Sequence, residues 1–176
     1  MFPLTLIHQK ALQAGLPYLV IGGHAVNVYA EPRATLDVDL LARRADQPAW
    51  QKLIEAEGFR SFSSRPAFQQ FSPPYGTSWR LDFMWVSEES FQHLAAESRS
   101  VQILGIEARI PSPHHLIALK LHALKHGGVD RQEKDLADVL GIVRFQKIEV
   151  RTAEFQELFS KYGTAELYQR LLGIAG

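Results

Sequence analysis

The chain has 176 residues, 46% of them hydrophobic and 22% charged, which are the proportions of an ordinary globular protein. Lys plus Arg and Asp plus Glu both number 19, so no net charge draws the whole chain toward nucleic acid, although a balanced total says nothing about local patches. There are no cysteines, which excludes disulfides and cysteine-ligated zinc or iron–sulfur centres.

The opening segment MFPLTLIHQK lacks the basic start and long apolar core of a signal peptide. No apolar run is long enough to span a bilayer, so a cytoplasmic protein without a membrane partner is expected. Residues 4–14 then predict a helix, with Leu4, Ile7, Ala11 and Leu12 on one face and Gly15 as its stop. Tyr18 to Ile21 reads as a short buried strand ending in the turn Gly22-Gly23, and a helix from His24 to Ala30 follows. A second strand covers Leu36 to Ala42, and residues 47–57 are helical up to Gly58. Phe59 to Phe71 holds one or two edge strands before the Pro73-Pro74-Tyr75-Gly76 turn. Trp79 to Val86 is a strong strand, residues 88–97 a helix, and Val101 to Ile110 a hairpin around Gly105. Ser112-Pro113 then supplies a capping hydroxyl and a first-turn proline, after which only helices are expected, at about 113–126, 131–144, 152–161 and 164–173. The expected organisation is an α/β (α+β) core over 1–111, with a mixed sheet flanked by helices, and a helical part over 112–176 packed on it as a single structural unit.

Three acids stand out. In Leu36-Asp37-Val38-Asp39-Leu40 the acids alternate with apolar residues, so on a strand Asp37 and Asp39 project to the same side. Two carboxylates there repel each other, and a divalent cation would remove the repulsion; a solvated strand face is the plainer account. Asp82 lies inside the apolar strand 79–86, where an acid is costly unless it is paired or bound to a cation. Its alternatives are a metal-ligand or general-base role, or a salt bridge to Arg80 on the same face. The glycines Gly22 and Gly23 allow close backbone approach, so that N–H groups there can point at a phosphate, or they merely make a strand-to-helix turn.

Together, Gly22-Gly23, Asp37/Asp39 and Asp82 resemble the pattern of the DNA polymerase β-like nucleotidyltransferase superfamily, in the same order along the chain. The stretch GGHAVNVYAEPRATLDVDLL is similar to the AbiEii-type group, which includes nucleotidyltransferase toxins of toxin–antitoxin pairs. That group carries an arginine and a threonine before D-x-D, matched by Arg33 and Thr35, and a later lysine, arginine and aspartate, matched by Lys120, Arg131 and Asp135. Gly23 stands where many members have a serine.

The resemblance implies a nucleotidyltransferase fold and transfer of a nucleoside monophosphate from a nucleoside triphosphate to an acceptor hydroxyl on RNA or protein. Asp37, Asp39 and Asp82 would hold Mg²⁺, or Mn²⁺ in its place, and with Lys120 would form the catalytic set. Gly22, Gly23, Arg33, Thr35, Lys120, Arg131 and Asp135 would bind nucleotide, and an antitoxin protein would be a partner. The rival expectations are a small-molecule, antibiotic-type adenylyltransferase and a non-catalytic binding module of the same fold.

Lys120 can also be read from the helix alone. It falls among Leu116, Ile117, Leu121 and Leu124 on one face, so it must snorkel or find an anion, either a phosphate or a carboxylate. Arg131 and Asp135 are one turn apart and could form an exposed ion pair instead. His122 and His126 are four apart on a helix with His114-His115 at its start, but without an H-E-x-x-H pattern a solvated helix is the plainer account than a zinc site.

Overall fold

The computed structural model describes residues 3–75, 78–126 and 132–175. In chain order these form α1 (Pro3–Ala14), β1 (Tyr18–Ile21), α2 (Gly22–Tyr29), β2 (Val38–Arg43), α3 (Gln47–Ala56), β3 (Arg60–Arg65), β4 (Phe68–Ser72), β5 (Leu81–Val86), α4 (Glu88–Ala96), β6 (Arg99–Ile103), β7 (Ile106–Ile110), α5 (Pro113–His126), α6 (Gln132–Phe145), α7 (Ala153–Tyr162) and α8 (Ala165–Ala175). The chain divides into two compact units. The first runs to Ala25 and resumes from Ala34 to Ser112; the second takes Val26–Arg33 and the residues from Pro113 onward.

In the first unit five strands form a mixed sheet in the order β1-β2-β5-β4-β3. β2 and β5 run parallel, while the other neighbours are antiparallel. One face of the sheet is aromatic. On β5, Leu81, Phe83 and Trp85 are buried and alternate with half-buried Asp82, Met84 and Val86, the period expected of a strand with one face in the core. Phe83 lies 4.7 Å from Trp85, 5.0 Å from Trp50 of α3 and 5.9 Å from Phe71 of β4, measured between ring centroids. Such ring packing fixes which face of β5 is inward. It therefore turns Asp82 to the other face. The hairpin β6–β7 forms a separate two-stranded ladder, joined through Leu104 (φ 52°) and Gly105 (φ 83°). Two successive positive φ values are those of a tight turn whose twist matches the strands.

Two boundaries differ from expectation in ways that matter. Helix α2 begins at Gly22 rather than at His24, so the glycine turn is itself the helix N-terminus. β2 begins at Val38 rather than Leu36, because its ladder with β5 starts there; just ahead of β5, the Arg80 carbonyl accepts the Val38 N–H at 2.9 Å. Asp37 consequently lies just outside the strand.

The second unit is helical. Leu116, Ile117, Leu121 and Leu124 of α5 are buried, as are Leu136, Val139, Ile142 and Val143 of α6 and Phe155 and Phe159 of α7. Thr152 caps α7 by accepting the Phe155 N–H at 3.2 Å. The segment Val26–Arg33 joins these helices through specific fits. Gln146 donates to the Tyr29 carbonyl at 3.1 Å, and a Cβ at Gly141 would lie 3.1 Å from that of Ala30.

Candidate functional site

The acids of the first unit are gathered by strand register. Asp39 and Asp82 are direct partners across the parallel pair β2–β5, so their side chains rise from the same face on neighbouring strands. Across the antiparallel pair β1–β2, Asp39 is the partner of Ile21, whose next residue is Gly22. The Asp39 carboxylate thus lies over the start of α2. A Cβ built on Gly22 would overlap that carboxylate, and Gly22 has φ +62°, so both space and backbone call for glycine there. The first N–H groups of a helix have no partner within it, and its positive end favours an anion. A Cβ on Gly23 would come 2.6 Å from Thr35 Oγ1 and 2.9 Å from Thr35 Cβ. The space a serine side chain would need at position 23 is therefore filled by Thr35, which brings its own hydroxyl to the turn.

Two of the acids have distinct side-chain neighbours. Asp82 Oδ2 accepts from Gln70 Nε2 at 2.8 Å, and Gln70 is its register partner on β4. Asp37 receives both arms of Arg80, from Nε to Oδ1 at 3.2 Å and from Nη2 to Oδ2 at 2.9 Å. Arg80 is the cation that sequence spacing offers to Asp82; the register hands it to Asp37 instead. Its pKa is raised further by that hydrogen bond and by the charges of Asp37, Asp82 and Asp39, which place the guanidinium in the field of all three acids. Neither Gln70 nor this use of Arg80 is signalled by spacing, because both depend on which strands lie side by side.

The residues can be tested against a divalent cation. Among the described residues no three acidic or histidine side chains stand as a ready metal cluster. The donor chemistry does fit: Asp39 and Asp82 offer hard oxygens from one face of adjacent strands, and Asp37 lies two residues before Asp39. As a ligand Asp37 would bring the cation up against the Arg80 guanidinium, from which both its oxygens accept.

The other marked residues lie in the second unit. Lys120 Nζ sits 2.7 Å from Asp135 Oδ1 and 2.8 Å from Asp138 Oδ2. Asp138 also receives Arg33, from Nε to Oδ1 and from Nη2 to Oδ2, both at 2.8 Å. Burial pulls the Lys120 pKa down, but the two aspartates outweigh it and hold the ammonium charged. Burial likewise pushes the Asp138 carboxyl up, and the hydrogen bonds from Arg33 and Lys120 more than offset this, leaving its pKa below the usual value. Asp138 is the residue sequence reasoning missed. Its signal was available, since it falls one turn before Ile142 on a buried stripe of α6, where an acid needs partners. Arg131, also marked in the sequence, lies outside the described residues.

The architecture has solved counterparts. The chain resembles the structure of ANT(2'')-Ia in complex with adenylyl-2''-tobramycin, with a TM-score of 0.63 and 16% identity over 100% of both chains. The solution structure of ANT(2'')-Ia, an antibiotic-resistance factor, matches with a TM-score of 0.59 and 18% identity, covering 96% of this chain and 86% of that one. The lincosamide antibiotic adenylyltransferase LnuA, with lincomycin bound, matches with a TM-score of 0.55 and 14% identity over 79% of this chain and 95% of its own. The fold is the nucleotidyltransferase fold. Neither a family model nor a curated protein matches the chain, so at these identities the likeness establishes architecture alone.

Proposed function

We propose that the protein is a metal-dependent nucleotidyltransferase that moves a nucleoside monophosphate from a nucleoside triphosphate to an acceptor hydroxyl. The observation that carries this reading is the pairing of Asp39 with Asp82 beside the side-chain-free start of α2. Asp39, Asp82 and Asp37 would hold Mg²⁺ or Mn²⁺, which when bound would stabilise the attacking and leaving oxygens. The first-turn N–H groups at Gly22 and Gly23, with the Thr35 hydroxyl, would hold phosphate oxygens. Asp82, which accepts from Gln70, would share the metal or take the acceptor's proton. Lys120 is proposed to balance charge on the phosphates, with Arg33, Arg131 and Asp135 as further nucleotide-binding residues.

The resemblance of residues 22–41 to the AbiEii-type group supports an RNA or protein acceptor and a toxin role with an antitoxin partner. The end-to-end match with ANT(2'')-Ia, whose structure contains an adenylylated antibiotic, favours a second reading in which the acceptor is a small hydroxylated molecule. Incubation with each labelled nucleoside triphosphate, Mg²⁺, and total RNA, protein extract, or tobramycin and lincomycin separates them by where the label appears. Asp39→Ala should lower transfer by on the order of 10²–10³-fold and abolish metal-dependent nucleotide binding. Transfer by Asp39→Ala at the parent rate would refute the assignment, and Lys120→Met, assayed beside thermal melting, tests the lysine in the same way.

A further inference from the structure

Both oxygens of Asp37 are held by the fork of Arg80, and the pair is open to solvent, with 47% of the Arg80 side chain and 28% of the Asp37 side chain exposed. The backbone of Arg80 is pinned, since its carbonyl accepts the Val38 N–H at 2.9 Å just ahead of the β2–β5 ladder. The side chain beyond that anchor can swing while Cα stays in place. We propose that Arg80 is an exchangeable place-holder for the divalent cation: it holds Asp37 before substrate arrives, yields that carboxylate to the cation, and then grips the incoming phosphates. The inference rests on the metal-dependent reading above.

Three arguments support it. The Arg80 guanidinium lays a positive charge against both Asp37 oxygens, so a cation that takes up either oxygen competes with it. An exposed ion pair is held by little free energy, so a divalent cation can displace it. A guanidinium fork suits phosphate as well as carboxylate, so the displaced Arg80 already has the geometry that the triphosphate needs. The cation and the arginine then take turns on Asp37, and metal binding is coupled to nucleotide binding through one side chain.

The test is titration with Mn²⁺, read by calorimetry and by the electron spin resonance of free Mn²⁺, on the parent, Arg80→Met and Arg80→Lys. Each is measured alone and with each of the four α,β-methylene nucleoside triphosphates. Without nucleotide, Arg80→Met should bind Mn²⁺ about three-fold tighter than the parent. Arg80→Lys, which keeps the charge without the fork, should fall between them. With nucleotide, both variants should bind the Mn²⁺–nucleotide complex about ten-fold more weakly. Mn²⁺ binding by Arg80→Met no tighter than the parent's, absence of binding by both included, overturns the place-holder. So does an Arg80→Lys affinity equal to the parent's, because the effect is then one of charge at a distance. Parent binding that depends on nucleotide but is flat across the variants overturns the place-holder alone. Absence of Mn²⁺ binding by every form, even with nucleotide, overturns the metal-dependent reading with it.

Discussion

Two arginine–aspartate forks in this protein have the same chemistry and different surroundings. Arg33 grips Asp138 through two 2.8 Å bonds, and the Asp138 side chain is 3% exposed. Arg80 grips Asp37 at 3.2 and 2.9 Å, and Asp37 is 28% exposed. Around Asp138 a second cation, Lys120, completes a set of two positive and two negative groups within the helical unit. Around Asp37 the near charges are more carboxylates, with Arg80 in the field of all three. Burial and neutrality make the first fork a fastening that is costly to open. Exposure makes the second one exchangeable.

The difference is sharpest in stability. Asp138→Asn removes the charged carboxylate that Arg33 and Lys120 share. It should lower the unfolding free energy by about 3 kcal/mol, seen in denaturant melts. A loss as small as that expected at an exposed pair would erase the distinction. The same fastening has a pH signature. Asp138 titrates below its usual 3.8 in the folded chain, so its contribution is complete above that value and is lost as pH falls through the lower folded pKa. Lys120 titrates above its usual 10.5, so its contribution is complete below that value and is lost as pH rises through the folded pKa. The melting temperature should therefore fall at both extremes. Asp138→Asn should flatten the acid limb, and an acid limb left unchanged would assign it to other carboxylates.

A smaller effect is expected at the glycine turn. Gly22→Ala must adopt φ +62° and push its methyl into the Asp39 carboxylate. It should cost about 1–2 kcal/mol of stability. It should also weaken Mn²⁺ binding, because the displaced acid no longer faces Asp82; unaltered affinity in calorimetry would remove Asp39 from the metal set. Smallest is Asp37→Asn, which should change stability by less than about 1 kcal/mol, since its fork is exposed. If its melt instead fell as far as that of Asp138→Asn, Arg80 would be a fastening and not a place-holder.

The helices and the strands were legible because each is written in contiguous residues. Periods of two and of about 3.6 depend on local backbone geometry, and turning at Gly105 depends on one or two positions. Lys120 could be recognised as a cation needing an anion from its place on an apolar stripe. Which anion could not be read, because aspartates and phosphates satisfy it alike, and the choice fell to α6 packed beside α5.

Strand order was likewise beyond reach. Nothing between Asp39 and Asp82 states that β5 inserts beside β2 while β3 and β4 lie farther out, yet that order makes the two acids partners. It also gives Arg80 to Asp37 and Gln70 to Asp82. The sequence by itself determined which residues are apolar, which are charged and at what period each repeats. The tertiary structure alone decided which charges meet, because a charged side chain in a chain of this length has several partners it could reach. The winner is set by which elements exclude water around it.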